Sequence, residues 1–598
     1  MVRTRILAVL AAVLAPLAAP AAPVPVGGKA ADIKELPVAA NAMLVVQLNG
    51  VERTKERVVK MLEGVDPAVA KDAKGQFDGL LKGLLGDRDL TALDGQGRVF
   101  VAVGPLAEVA NDSPPVTVLL PVKDAKTFRE KFLTEGERKS YQKGKGGVDE
   151  LELAESGMTV YVVDNGAGYV IATPSKDTAD AYAGKYDKLT SKAIGTVADA
   201  FLSADVGIFL NVARVNEEYA GPIAQARTAV AQLFQLFGGQ LDKGQIELAK
   251  SGIDGLFQII EDATGVVIAV DLRPEGAAVR VEGAFTADSE TDKVLSAEKP
   301  SAFTALGDLP KGMSGYSASR WGAGLGGIQR KLMGEFQSDD DKAAAAIEKL
   351  TALTTAADGD TVSLSGADSA ALSALACKDP AALAAARLAV FAALDEGAKY
   401  SNLVLKKKPK VTKDAQKHAG FTLHSAAVEI DFEASAGNSP DPDQREAAIE
   451  AMKKFMPEKQ TIYFGSDGKR YVQVSGKDWD AAKKLLDEFA APKAKAADDK
   501  GFALTRGQLP AEAGYLLLTD AVPLLSQLSD YAGNLGGAIP GGAGAELPKF
   551  GKVKGDPAYI GVAVTAKKQW VRVDLFVPTA AVKAVMQSAA EGANEKKD

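Results

Sequence analysis

Two β-hairpins, far apart in the chain and built alike, limit the possible folds more than any other feature. The stretch Thr159-Val-Tyr161-Val-Val-Asp-Asn-Gly-Ala-Gly-Tyr169-Val-Ile recurs as Thr461-Ile-Tyr463-Phe-Gly-Ser-Asp-Gly-Lys-Arg-Tyr471-Val-Gln. Its Thr and both Tyr positions repeat after 302 residues. Each copy reads as strand, tight turn, strand, because β-branched and aromatic residues flank Asp-Asn-Gly in one and Ser-Asp-Gly in the other. A repeat at this distance is read before anything else, since it decides the architecture.

The punctuation around the hairpins repeats too. Lys123-Asp124, Lys176-Asp177, Lys378-Asp379 and Lys477-Asp478 each stand between a strand-like and a helical stretch. An aspartate there accepts hydrogen bonds from the free amides of the first helical turn, so the pattern predicts four N-caps and no reacting groups. Pro380, directly after Asp379, suits the first helical position. Leu36-Pro37 pairs with Leu309-Pro310, Asp205-Val-Gly207 with Glu512-Ala-Gly514, and Val279-Arg-Val-Glu282 with Val571-Arg-Val-Asp574. The Lys-Asp intervals are 255 and 301, which leaves about 46 extra residues between the two Lys-Asp helices of the second half.

These matches predict an α+β fold of two tandem homologous halves, residues 36–299 and 300–590. Each would be an antiparallel sheet of β-hairpins with helices packed on one face. An insertion at about 398–458 enlarges the second half, residues 22–35 form an N-terminal linker, and residues 591–598 form a charged tail. Arg280 and Glu282 alternate with Val279 and Val281. The expectation is therefore a wet sheet face carrying the charges and a covered face carrying the valines.

The N-terminus reads as an address. Arg3 and Arg5 precede the apolar run from Ile6 to Ala15, and Ala19-Pro20-Ala21 follows as a small-x-small site. This is the layout of a secretory signal peptide over residues 1–21. No later stretch reaches about 18 uninterrupted apolar residues, so no transmembrane span is expected in the mature chain. The expected location is outside the cytoplasm, periplasmic or extracellular. Cys377 is the only cysteine, which excludes an internal disulfide and any thiolate-built metal centre; it reads as a small buried hydrophobe.

Signatures of chemistry are sparse. His418 and His424 are the two histidines. Six residues apart, they would lie about 20 Å from each other on one strand and on diverging sides of a helix. Gly322-Ala-Gly324-Leu-Gly-Gly327 has the dinucleotide-binding spacing in letters alone, with no parallel strand–helix–strand continuation. Asp339-Asp-Asp341 and Asp441-Pro-Asp443 lack the ligand order of a calcium loop. Gly533 to Gly544 reads as a flexible loop. The apolar stretches Thr228–Phe237 and Gly255–Ile260 read as core helices, with an acyl-chain groove as the alternative. No catalytic, cofactor-binding or metal-ligating residue is assigned, and no cofactor is expected.

With 70 Lys+Arg against 78 Asp+Glu the chain carries a net charge of -8, which disfavours a general nucleic-acid binder. Against that background Lys406, Lys407, Lys408, Lys410, Lys413 and Lys417 stand out. They would either guard a strand edge or form a patch for an anionic partner such as an envelope polymer or lipid headgroup. The functional expectation is a non-catalytic exported binding or scaffold protein of the bacterial cell envelope, whose partner is an unidentified envelope component or protein. The alternatives are a carrier of an apolar, lipid-like ligand held between sheet and helices, and a carboxylate-based hydrolase with two acids facing across a cleft.

Overall fold

In the computed structural model, strands of alternating burial pair into large antiparallel sheets with helices against them, an α+β architecture. The structure describes residues 33–594 except 86–87, 106–114, 154–156, 238–242, 321, 323, 327–334, 358, 367–369, 402, 437–441, 456 and 527–555. The signal-peptide segment, the Gly533–Gly544 stretch and residues 595–598 of the charged tail lie outside the described residues. The chain divides into two compact units, residues 1–293 with 568–580, and residues 294–567 with 581–598.

The first unit contributes β1 (Glu35–Ala39), β2 (Leu44–Leu48), β3 (Val99–Val103), β4 (Val116–Pro121), β5 (Val148–Leu153) and β6 (Met158–Asp164). It continues with β7 (Tyr169–Thr173), β8 (Lys188–Thr190), β9 (Val206–Leu210), β10 (Ala263–Arg273) and β11 (Gly276–Phe285). Strands β1 and β8 make a small separate pair. The others run β11-β10-β9-β2-β3-β4-β7-β6-β5, every neighbour antiparallel.

The second unit contains β12 (Gly315–Ser319), β13 (Phe336–Gln337), β14 (Thr361–Ser365), β15 (Ala371–Ala376), β16 (Lys399–Tyr400) and β17 (Leu403–Leu405). After them come β18 (Lys410–His418), β19 (Phe421–Asp431), β20 (Lys459–Ser466), β21 (Arg470–Gly476), β22 (Tyr515–Asp520) and β23 (Tyr559–Lys567). The main sheet runs β23-β22-β12-β14-β15-β21-β20-β19-β18, again antiparallel throughout. From β10 to β5, and from β23 to β19, the order of strands by position in the chain is the same.

The last strand, β24 (Trp570–Pro578), lies within the first unit, where it pairs along the whole of β11 from Gly276↔Pro578 to Ala284↔Trp570. Sequence assigns that strand to the second half; in the fold it widens the first unit's sheet to ten strands.

Helices cover both faces of the first unit's sheet, not one. Val45, Phe100, Leu119, Ile171 and Phe209 pack on one side with Tyr182 and Phe201 from the Lys176–Ala183 and Ala198–Ser203 helices. On the other side Met61 of the Val51–Val65 helix meets Val206, Val270, Leu272 and Ala277. Strands with apolar residues on both sides demand cover on both sides, which is the reason the one-face expectation fails.

Three of the four Lys-Asp aspartates are N-caps: Asp124 accepts from the Thr127 amide at 2.7 Å, Asp379 from Ala382 and Asp478 from Ala481, both at 2.9 Å. The fourth is not. Ser175 caps its helix, and Asp177 sits in the first turn. The Ala220–Phe237 and Lys243–Asp262 helices bury no apolar side chain among their described residues, and Leu256 is 56% and Ile259 44% exposed. The expectation that Gly255–Ile260 is core is therefore corrected, while the side chains at 233–237 of the Thr228–Phe237 stretch lie outside the described residues. Among the described residues no helix is long and apolar enough to cross a membrane.

Candidate functional site

One face of the first unit's sheet is aliphatic across eight strands. Reading in register from β7 to β24, the row is Ala172, Val118, Val101, Val46, Ile208, Ile268, Val281 and Val573. A second row beside it, Val99, Leu48, Val206, Val270, Val279 and Leu575, is aliphatic as well. The Val51–Val65 helix covers part of this surface. At the β9–β11–β24 end it stays open, with Val281 38%, Leu210 38% and Val573 37% exposed.

The charged residues of the same strands point the other way and are buried. Asp271, Arg273, Glu282 and Asp574 are each less than 9% exposed. Arg280 donates to Asp271 at 2.7 Å, the Trp570 indole N–H to Glu282 at 3.1 Å, and Arg572 Nε to Asp574 at 2.8 and 2.7 Å. Burial pushes the Glu282 and Asp574 carboxyls up, against the pull of Trp570 and Arg572. Three carboxylates and three guanidiniums thus balance on one face. The expected wet and covered faces are inverted: alternation identifies which residues share a face, but exposure depends on whether each charge finds a counter-charge.

At the end of this sheet Asp205 is fully buried. Arg57 Nη1 reaches both of its carboxylate oxygens at 2.6 Å, Arg53 Nε lies at 3.4 Å, and the Leu272 amide donates at 2.8 Å. Burial raises the carboxyl, and Arg57 and the Leu272 amide oppose that rise. The constellation ties the Val51–Val65 helix to β9 and β10 and offers no open position to a substrate.

In the second unit the corresponding row is polar in its middle: Val562, Leu517, Ser317, Ser363, Ser373 and Gln473. Above it lies a cavity of about 280 Å³ bounded by the Asp341–Ala356 and Pro380–Ala393 helices. Arg387 forks onto Glu335 at 2.8 and 2.5 Å and donates to Gln473 as well. Its charge is held by Glu335 although burial works against it. The Tyr471 hydroxyl is buried and has no hydrogen-bond partner among the described residues. A shallower groove of about 1040 Å³ is lined by Lys311, Lys483, Lys484 and Lys493 intermixed with Asp480, Asp487 and Glu488.

The lysine cluster divides in two. Lys406 pairs with Glu458 at 2.7 Å, Lys407 with Glu429 at 2.8 Å and Lys408 with Asp395 at 2.8 Å. Lys410, Lys413 and Lys417 stand exposed on β18, whose only ladder partner among the described residues is β19, and there they make no ion pair. A register shift between Thr412 and Gln416, with Asp414 at φ 51°, bends this edge. Lysines and a bulge on an edge strand are devices that block edge-to-edge pairing.

The histidines occupy two strands of one hairpin, a geometry that neither the single-strand nor the helix argument considers. His418 contacts Asp487 at 2.5 Å, and His424 Nδ1 accepts from the Asp414 amide at 3.0 Å. Gly322 and Gly324 of the dinucleotide-like stretch serve packing: a Cβ on either would strike the Ala297 or Val294 carbonyl at 2.3 or 2.2 Å. The Gly322 and Leu325 amides, where a phosphate would sit, donate to Glu298 at 2.8 and 2.7 Å. Cys377 is half-buried, not fully, and burial pushes its thiol up. Among the described residues no group of three or more His, Cys, Asp or Glu is arranged to hold a metal ion. Compared with protein-family models, curated proteins and solved structures, the chain matches none.

Proposed function

We propose that this chain is a non-catalytic exported binding protein of the cell envelope, and that what it binds is apolar: a lipid-like molecule whose aliphatic chain lies on the open sheet face of the first unit. The observation that carries this reading is the in-register row from Ala172 to Val573, with its exposed end at Val281 and Val573. At the usual strand spacing of about 4.8 Å, β9, β10, β11 and β24 at the open end span about 14 Å, room for part of an acyl chain, whereas Val46, farther along the row, is buried. A surface of Val, Ile, Leu and Ala without Tyr, Trp or Arg suits a hydrocarbon better than a protein partner, whose anchors favour those three residues.

The matching strand order of the two units supports descent of both from one duplicated module, with the second diverging toward a polar face. Export rests on the N-terminal pattern of residues 1–21. The hydrolase alternative gains nothing from the cavity, because Glu335 is locked to Arg387.

The test is extraction of lipid from full-length protein purified from its own envelope without detergent. Co-purifying acyl lipid near one per chain is expected. Protein free of lipid, and unable to bind a fatty acid saturably, would overturn the reading.

A further inference from the structure

We propose that the second unit carries a separate binding site for one small, neutral, hydroxyl-rich molecule of monosaccharide size, in the cavity beneath the Asp341–Ala356 and Pro380–Ala393 helices. The inference does not rest on the apolar-ligand reading, since it concerns the other unit and the opposite chemistry.

The first argument is the contrast between two rows at the same place in the strand order. Where the first unit has Val46, Val101, Val118 and Ala172, the second has Ser317, Ser363, Ser373 and Gln473. Packing a helix on a sheet does not require hydroxyls, as Val206, Val270 and Leu272 of the first unit show against the Val51–Val65 helix. Setting polar groups on a covered face costs free energy unless each finds a partner. Ser363 and Ser373 satisfy one another at 2.7 Å. Thr354, Thr361, Ser373 and Gln473 line the cavity, offering both donors and acceptors beside Leu350 and Leu383.

The second argument is charge. Arg387 and Glu335, the two ionised groups lining the cavity, form a closed bidentate pair. An anion or cation entering beside them would be desolvated without a counter-charge, so the site selects a neutral ligand. The third is size. A cavity of about 280 Å³ lies at the small end of ligand sites and admits one sugar ring with a few waters.

The test is saturation-transfer NMR on the full chain with glucose, mannose, galactose and N-acetylglucosamine, each at about 10 mM, and with glucuronate as the charged comparator. Saturable transfer to at least one neutral sugar is expected. It should weaken about tenfold in Thr361→Val/Ser373→Ala, which removes two hydroxyls with little change of volume, while fatty-acid binding stays unchanged. Should the double variant misfold, the isosteric Thr361→Val alone carries the comparison. No transfer from any neutral sugar, undiminished binding in the folded variant, or tighter binding of glucuronate than glucose would each overturn the proposal.

Discussion

Val281 on β11 lies directly opposite Val573 on β24, and both side chains are more than one-third open, while their neighbours Glu282 and Arg572 are opposed on the buried face. The sheet holds charge inside and presents hydrocarbon outside. Six ionised groups on the inner face compensate one another, so burying them is tolerable; nothing comparable compensates the exposed valines. Open aliphatic side chains at the end of a half-buried aliphatic row are a feature that asks for an occupant.

Asp205 anchors one end of that sheet. Replacing it with Ala leaves Arg57 without its partner and the Leu272 amide without an acceptor, which should cost about 3–5 kcal/mol. Asp205→Asn keeps an acceptor and should lose less. Urea unfolding followed by fluorescence checks both, and equal stability of Asp205→Ala and the parent would contradict the anchoring role.

The capping assignment separates two aspartates that look alike in sequence. Asp478→Ala should cost about 1 kcal/mol, and Ser175→Ala a similar amount, whereas Asp177→Ala should be nearly neutral. Thermal unfolding of the three variants distinguishes them. A loss in Asp177→Ala equal to that in Asp478→Ala would place the fourth cap back on the aspartate.

His424 makes stability depend on pH. Burial depresses its pKa below the usual 6.5, with Asp414 opposing and Lys413 assisting, and its Nδ1 must be unprotonated to accept the Asp414 amide. The unfolded chain takes up a proton in this range before the folded chain does, so stability is present above the ordinary histidine pKa. It is lost as pH falls toward the depressed folded value. His424→Gln should remove that part of the slope between pH 7.5 and pH 5.5, about the interval in which histidine titrates. An unchanged slope in urea titrations of the variant would contradict the assignment.

We read Lys410, Lys413 and Lys417, exposed on the β18 edge, as guards against edge-to-edge pairing. Substituting all three with Thr should leave the fold intact and promote self-association through β18, visible in sedimentation velocity. If the triple variant instead stays monodisperse and the parent binds anionic vesicles through these lysines, the cluster is a docking patch.

Much of the layout was legible in the sequence because hairpins announce themselves locally. Asn165 and Asp467 each turn their hairpin by accepting from amides two and four, or two and three, residues on. The second tyrosine match misleads, however. Val163 pairs with Ile171, but Gly465 pairs with Val472, so the second hairpin is one residue tighter. That slip turns Tyr169 toward Phe100, at 6.1 Å, and Tyr471 toward Arg387 on the opposite face, at 5.9 Å. The cavity was invisible for a related reason. Its polar row joins the β14–β15 pair to β12 and β21, which lie far from it in the chain, and no local pattern reports their register. The buried charges were misread because alternation cannot tell a solvated arginine from a paired one.

The measurement that bears most directly on the central claim is a titration of full-length protein with a fluorescent fatty acid, before and after Val281→Asp/Val573→Asp. Both positions are more than one-third exposed, so the variant should fold with its circular dichroism unchanged. The account predicts saturable binding by the parent and at least about tenfold weaker binding by the variant. Equal affinity in the two proteins, or no binding by either, would contradict it.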